Sequence, residues 1–324
     1  MEIILERELR AAVTLNRDVL EVVEGGFTLM ADGAVNTPPI MRLEVPEHNG
    51  EVDVKAAKVN GFDHFAIKVS SGFFDNPTRG LPSGSGLMVL LSAVTGQPEA
   101  LLLDNGYLTD LRTAAAGAIA AKYLANPSLD TVGVIGAGSQ ARVQLQALAL
   151  VRTFRRVLVY ARRPQQADQY VDDMRRVMGV TVERRESPAD VMREADLVVT
   201  ATPATEPLLN ADWLHPGLHL TAMGSDAEFK QELDSRILGR ADTVCCDLIS
   251  QCIRLGEWHH AIESGVRRDD VVELGELTSK RATGRTAANQ ITVADLTGTG
   301  VQDTMIATYA FERVQAVRLQ SRNG

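Results

Sequence analysis

Two glycines, Gly136 and Gly138, and a small residue, Ala141, follow the apolar run Val132-Gly133-Val134-Ile135 and lead into residues 144–150, which carry a helical period. In a strand–turn–helix setting this G-x-G-x-x-A spacing has a specific chemical use. Gly136 permits the tight turn, and Gly138 lets the backbone approach a pyrophosphate. Ala141 lets the helix pack closely on the strand. Ser139 and Gln140 then stand at a helix N-terminus, whose free N–H groups and positive dipole end favour phosphate oxygens. The expected ligand is a dinucleotide. The next strand, 156–160, runs into Ala161-Arg162-Arg163. An acid there would hold a ribose 2′-hydroxyl, whereas an arginine accommodates a 2′-phosphate, so Arg162 and Arg163 favour NADP(H) within an NAD(P)(H) site. Thr200, Thr202 and Met223 close later strands at the carboxyl edge, where nucleotide ligands sit, and are expected to line the cofactor.

A second group of residues suits an anionic small molecule. Lys68 interrupts the apolar strand Phe65-Ala66-Ile67-Lys68-Val69. Arg112 is expected in the first turn of a helix, and Arg42 in an extended segment after Pro38-Pro39. Cations converging beside a helix N-terminus would grip a carboxylate, arginine through two parallel hydrogen bonds. Each alone also reads as a surface or salt-bridged residue, and composition does not bring them together. Asp226, after Met223-Gly224-Ser225, is placed to exchange a proton beside the cofactor or to cap the stretch that follows. Trp258-His259-His260 has no further ligands at metal spacing and reads as an exposed loop or cap, so no metal is expected.

The elements that must position these residues fall into two patterns. Residues 16–30 have an amphipathic helical period, with Val19, Val22, Val23, Gly26, Phe27 and Met30 on one face. Pro38-Pro39 introduces an extended segment at 40–45. Strands follow at 52–59, 64–69, 87–93 and 99–103, separated by turn signals such as Asn60-Gly61 and Thr95-Gly96, which indicates a mostly antiparallel sheet. Residues 109–125 form an alanine-rich helix with Thr109 as expected N-cap, and Asn126-Pro127 marks a domain boundary. Beyond it, strands at 131–135, 156–160, 180–184, 197–201, 218–223 and 243–246 alternate with helical stretches. That alternation implies a doubly wound parallel sheet. A Thr/Gly-rich hinge at 295–300 precedes a helix over 301–319. The fold class expected is α/β: a Rossmann domain over 127–299, inserted in a mixed α+β domain built from 1–126 and 300–324.

Composition narrows the partners. A net charge of −9 over 324 residues argues against nucleic acid or an anionic membrane surface, and no apolar run is long enough to span a bilayer. The acidic start lacks the basic region of a signal peptide. Cys245, Cys246 and Cys252 lack C-x-x-C spacing and read as reduced thiols. A cytoplasmic protein is expected.

Several segments together resemble the ornithine cyclodeaminase/mu-crystallin family. They are Leu108-Thr109-Asp110-Leu111-Arg112-Thr113-Ala114-Ala115-Ala116, the glycine loop ending Gln140-Ala141, Ala204-Thr205-Glu206-Pro207-Leu208-Leu209, and Gly224-Ser225-Asp226 with Lys230-Gln231-Glu232-Leu233. The stretch 51–72 with Gly80-Leu81-Pro82 is most similar to the cyclodeaminase-like proteins of ectoine utilisation. The resemblance implies a substrate-binding and dimerisation domain from the two chain ends, a homodimer, and hydride transfer at the amine- or imine-bearing carbon of a small amino or imino acid. By motif match Arg42, Lys68 and Arg112 hold the substrate carboxylate, with Lys68 close to the chemistry. Asp226 is the acid/base, and Lys230 lies near the cofactor. Two positions depart from the ornithine enzymes. Lys55 stands where they place a glutamate for the distal ammonium, and Ala227-Glu228-Phe229 replaces a small Pro-Gly pair. A cation facing ornithine's own cation repels it, which counts against ornithine as substrate. In this family reductases draw NADPH from solution, so Arg162 and Arg163 favour net reduction of an imino acid over true ornithine cyclodeamination. A binding protein with vestigial activity is the reading from another class.

Overall fold

The computed structural model describes the backbone of residues 1–323 and the side chains of residues 1–320; Gly324, the last residue of the expected C-terminal segment, lies outside the described residues. The chain divides into two compact units. One comprises Met1–Arg112 and the segment beginning at Thr299, the other Thr113–Gly298.

The first unit is built on a seven-stranded sheet: β1 (Glu2–Leu5), β2 (Val35–Asn36), β3 (Met41–Val45), β4 (Gly50–Val59), β5 (His64–Phe73), β6 (Gly84–Ser92) and β7 (Pro98–Leu103), in the order β1-β7-β6-β5-β4-β2 with β3 also on β4. All pairs are antiparallel except β1 with β7. On β4 every second residue is buried: Glu51, Asp53, Lys55, Ala57 and Val59. Period-two alternation puts them on one face. The register sets Lys55 opposite Lys68, Ala57 opposite Ala66 and Arg42 opposite Asp53, so these residues share that face. The helix Gly300–Asn323 covers it. Thr304 Oγ1 donates to Ala57 O at 2.7 Å and accepts from Ala66 N at 3.0 Å, bridging β4 and β5. Helix Arg17–Ala31, capped by the Asn16 side chain on Val19 N, packs on the same helix. A Cβ at Gly26 would stand 2.8 Å from Met305 Cγ.

The opposite face of this sheet is a row of apolar side chains. Val52 and Val54, Ile67 and Val69, Leu87 and Val89, Leu101 and Leu103 occupy the alternate positions, and Ile3, Met41 and Leu43 on the flanking strands are more than half exposed.

Two expectations are corrected at the end of β7. The helix begins at Tyr107 rather than at residue 109, and Thr109 lies inside its first turn. Asp104 is its cap, accepting from Leu108 N at 2.8 Å. Asn105 and Gly106, both at positive φ, turn the chain into the helix earlier than the sequence period indicates. The helix runs to Leu124, and the division between units falls inside it, after Arg112, not at Asn126-Pro127. Ala121 and Ala125 belong to the core of the second unit, together with Val132, Val134 and Leu145.

That second unit is an eight-stranded, wholly parallel sheet: β8 (Thr131–Ile135), β9 (Arg156–Tyr160), β10 (Thr181–Arg184), β11 (Leu197–Thr200), β12 (His219–Ala222), β13 (Thr243–Cys246), β14 (Val272–Glu273) and β15 (Thr292–Asp295), ordered β10-β9-β8-β11-β12-β15-β13-β14. The order reverses at β8, the switch point where doubly wound sheets bind nucleotides. Val132 and Val134 enter one core and Ile135 the other. Val157 and Val159 are likewise divided from Leu158, so both faces of the sheet are buried. β14 and β15 are strands the sequence pattern missed, and β15 sits centrally; Asp295 therefore ends a strand instead of opening a hinge. The connection from β11 to β12 carries only the short 3₁₀ turn Ala211–Trp213 where a helix was expected.

Thr304→Val would leave Ala57 O and Ala66 N buried without that partner. A loss of about 1–3 kcal/mol is expected, read as a lower urea midpoint at unchanged slope; an unaltered midpoint would show that the bridge contributes nothing.

Candidate functional site

The glycine loop fits a dinucleotide by its own geometry. Gly136 has φ +114, and a Cβ there would stand 2.6 Å from Ala201 O. A Cβ on Gly138 would meet nothing within 4 Å, so the backbone at that position is open to a ligand. Gly138 is the N-cap of helix Ser139–Leu148; Ser139, Gln140 and Ala141 form its first turn, with Ala141 fully buried against the sheet. Arg142, which the sequence reading passed over, braces this loop. Its Nη1 donates to Ala137 O and Gly138 O, its Nη2 to Asp173 at 3.0 Å, and the guanidinium lies over the Tyr170 ring. Arg162 and Arg163 are exposed immediately after β9, and Arg163 is the N-cap of helix Pro164–Met178.

The strand ends beside the loop are knotted by Glu232. Its carboxylate accepts from Thr200 Oγ1 (2.5 Å), Thr202 N and Oγ1 (2.7 Å each) and Gly224 N (2.9 Å). Burial raises its pKa against those donors. A Cβ on Gly224 would stand 2.2 Å from Thr202 O, so only glycine fits there. Thr200 and Thr202 thus give their hydroxyls to Glu232, and Met223 is half-buried against the core at the end of β12. Asp226, two residues beyond Gly224, is half-buried and 2.8 Å from Lys230 Nζ, itself buried. No helix follows Asp226, which removes the capping alternative. The turn is pinned at Lys230 O by Ser225 Oγ and by His260 Nε2 at 2.8 Å. His260 lies on helix Glu257–Glu263, not in a loop, and its residue type alone gave no sign of this role.

The cations of the first unit do converge. Arg112 Nε donates to Asp303 Oδ1 at 2.9 Å, and Lys68 Nζ lies 3.1 Å from Asp303 Oδ2. All three residues are almost wholly buried. Lys68 Nζ and Asp303 Oδ2 are nevertheless without a partner in hydrogen-bonding geometry, so the ion pair does not satisfy the ammonium. Beside it, Arg42 holds Asp53 through two hydrogen bonds (2.7 and 2.8 Å) and lies 4.0 Å from Glu51. Lys55 Nζ stands 3.9 Å from Asp53. Burial, and then the charges of Arg112 and Lys55 against the pull of Asp303, bring the Lys68 ammonium down to about 7. Burial alone would raise the Asp303 carboxyl, but Arg112, Lys68 and Lys55 outweigh it and hold it low. Asp303 was not anticipated, since a lone acid in a helix carries no motif; Glu51 or Asp53 would replace Lys55 in this row only if the register slipped, and it does not.

A parallel sheet with a glycine loop at its switch point defines a dinucleotide-binding protein. The chain belongs to the ornithine cyclodeaminase/mu-crystallin family, whose model matches residues 3–318. An uncharacterized cyclodeaminase of Sinorhizobium fredii is 51% identical over 318 residues, covering 97% of this chain and 96% of that protein. Among solved structures, Thermococcus litoralis Δ1-pyrroline-2-carboxylate reductase in complex with NADH and L-proline matches with TM-score 0.93 at 28% identity, over 98% of each chain. An archaeal alanine dehydrogenase dimer with bound NAD matches with TM-score 0.90 at 32% identity, over 98% of this chain and 97% of that one.

Burial brings the Lys68 ammonium down to about 7, so if Lys68 holds a substrate carboxylate, binding above that pH takes up a proton. The affinity for L-alanine or L-proline in calorimetry is expected to fall as pH rises beyond about 7, approaching tenfold per unit. A flat profile from pH 6.5 to 9 would refute the assignment of this lysine to the carboxylate.

Proposed function

We propose that this chain is an NAD(P)-dependent oxidoreductase acting at the amine- or imine-bearing carbon of a small amino or imino acid, chiefly in the reductive direction. The observation that carries this reading is the buried row of cations around Lys68, whose ammonium lacks a hydrogen-bonded partner. When bound, the nicotinamide cofactor supplies or accepts the hydride. Gly136, Gly138 and the first turn from Ser139 to Ala141 hold its pyrophosphate, and Arg142 stiffens that loop. Thr200, Thr202, Met223 and Lys230 stand around the strand ends where the cofactor would lie. With arginines at 162 and 163 where an acid would select NAD, NADP(H) is the preferred form.

Lys68 and Arg112 hold the substrate carboxylate, with Arg42 completing the charged row. Asp226 exchanges the proton of the substrate nitrogen, giving it as an imine becomes an amine and taking it in reverse. Lys230 Nζ, 2.8 Å away, donates a hydrogen bond to Asp226 and orients its carboxyl group. Lys55 counts against ornithine, because a second ammonium against a buried lysine costs several kcal/mol, and the register places Lys55 directly opposite Lys68. Glu51 and Asp53 share its face; both lie near Arg42, and Asp53 is also 3.9 Å from Lys55 Nζ.

The unit formed by the two chain ends is the substrate-binding and dimerisation domain. Its apolar sheet face, with Ile3, Met41 and Leu43 more than half exposed, suits burial against a second copy.

Purified protein offered NADH or NADPH with small cyclic and acyclic imino acids should consume cofactor. Asp226→Asn is expected to lower kcat at least a hundredfold while the cofactor dissociation constant moves only a few-fold. Equal turnover in that variant would end the acid/base assignment. Failure of the parent to turn over any imino or amino acid, despite tight cofactor binding, would favour a binding protein. For the dimer, Leu43→Arg should shift the species seen by light scattering toward the monomer. A dimer of undiminished strength would place the interface elsewhere.

A further inference from the structure

The proposed function uses His260 only to pin the Lys230 turn, and it does not use His259 at all. From the sequence the pair had no further ligand beside it, but the fold supplies one. Both histidines lie on helix Glu257–Glu263, where Glu263 is one turn beyond His259. One nitrogen of each ring and one carboxylate oxygen of Glu263 lie within 4.8 Å of one another. His259 Nε2 is 3.6 Å from Glu263 Oε2. In a tetrahedral zinc site, with metal–ligand bonds of about 2.1 Å, neighbouring donors stand about 3.4 Å apart.

The hydrogen bonds of the two rings decide which nitrogens are free. His259 Nδ1 is 3.0 Å from Ile253 O, and His260 Nε2 is 2.8 Å from Lys230 O. A carbonyl oxygen only accepts, so these two nitrogens carry the protons. In the neutral rings the lone pairs therefore fall on His259 Nε2 and His260 Nδ1. Metal-binding histidines are ordinarily prepared in this way: a backbone carbonyl takes one N–H, fixes the tautomer and the direction of the ring, and makes the other nitrogen a better donor. Here both neighbours receive it. The rings stand edge to face, with centroids 5.1 Å apart and planes at 68°.

The arrangement also leaves a conflict. His259 Nε2 and Glu263 Oε2 offer lone pairs to each other across a gap too wide for a hydrogen bond. A proton on Nε2 would serve these two groups alone, whereas a metal ion serves all three donors. Access is open, since the two histidines are half-buried and Glu263 is exposed. The softer donors, Cys245, Cys246 and Cys252, are fully buried, so an ion added to the folded protein meets the imidazoles first.

We propose that His259, His260 and Glu263 bind a zinc ion, with the fourth position left to water. Two imidazoles and a carboxylate suit zinc and its late transition-metal neighbours; magnesium and calcium take oxygen donors. The site goes beyond the hydride-transfer reading and does not rest on it. The two are nevertheless connected. Coordination draws electron density from the His260 ring and makes its Nε2–H a stronger donor to Lys230 O, which holds the turn carrying Asp226 more firmly.

The test is calorimetric titration of full-length, chelator-dialysed protein with ZnCl2 at pH 8, repeated with MgCl2, and electron paramagnetic resonance with CuCl2 as the probe. One zinc per chain should bind, and magnesium should neither bind nor compete. His259→Gln and Glu263→Gln lie on the water-facing side of the helix and should leave the circular dichroism spectrum unchanged. Each should weaken zinc binding about tenfold or more. The copper spectrum should show coupling to two imidazole nitrogens in the parent and to one in His259→Gln. No zinc binding in the parent, equal competition by magnesium, undiminished binding in either variant, or a parent copper spectrum without the two-nitrogen coupling overturns the proposal.

Discussion

Asp303 is the constraint on which the first unit depends. It projects from the helix Gly300–Asn323 into the charged face of the sheet and holds Arg112 and Lys68 together, all three almost wholly removed from water. Taking such charges from water costs several kcal/mol each, and their mutual attraction offsets this only when the geometry is good. The neighbouring contact sets that geometry. Thr304 is hydrogen-bonded to β4 and β5 on either side, and Gly300 has no room for a Cβ against Ala56. The helix is thereby fixed in height and rotation over the sheet, and the carboxylate one residue before Thr304 can meet only the cations that β5 and the Tyr107–Leu124 helix bring to it.

The second unit solves a similar problem with the opposite sign. Glu232 is a buried carboxylate whose oxygens accept from two hydroxyls and two backbone N–H groups. Hydrogen bonds from neutral donors hold a carboxylate in position without adding a charge that would compete for a phosphate or a reacting nitrogen. Glu257 continues the arrangement by accepting from Glu232 N at 2.7 Å. The ends of β11 and β12 are therefore anchored from beneath, and the Ser225–Lys230 turn that carries Asp226 is fixed at its far end by Ser225 and His260.

Much of this was legible in the sequence because local rules govern it. The glycine loop, the alternation along β4 and the switch from short turn-linked strands to βαβ units depend on neighbours within a few residues. What escaped depended on distant ones. β15 is four residues long and owes its central place to β12 and β13. Asp303 acquires meaning only when β5 and the Tyr107–Leu124 helix bring cations to it. The early start of the Tyr107–Leu124 helix turned on Asn105 and Gly106, whose positive φ values a pattern of alanines does not announce. Lys55 lies between these cases. Its position relative to Lys68 could be counted from the sequence, but its burial and the engagement of Asp53 by Arg42 required the fold.

Stability alone does not account for the buried row. Apolar residues of similar volume in place of a buried ion triad are often neutral or stabilising, and the same sheet face continues into Ala57, Val59 and Ala66, which pack without charge. The unit could therefore close over an apolar interior along its whole width. It carries instead Arg42, Lys55, Lys68 and Arg112 at one end, with an ammonium whose proton is only loosely held at neutral pH. Of these charges the Lys68 ammonium is the one on which the proposed carboxylate site rests, because it lacks a partner in hydrogen-bonding geometry. The apolar half of the face packs the unit, and the charged half is the part that the proposed function gives a use.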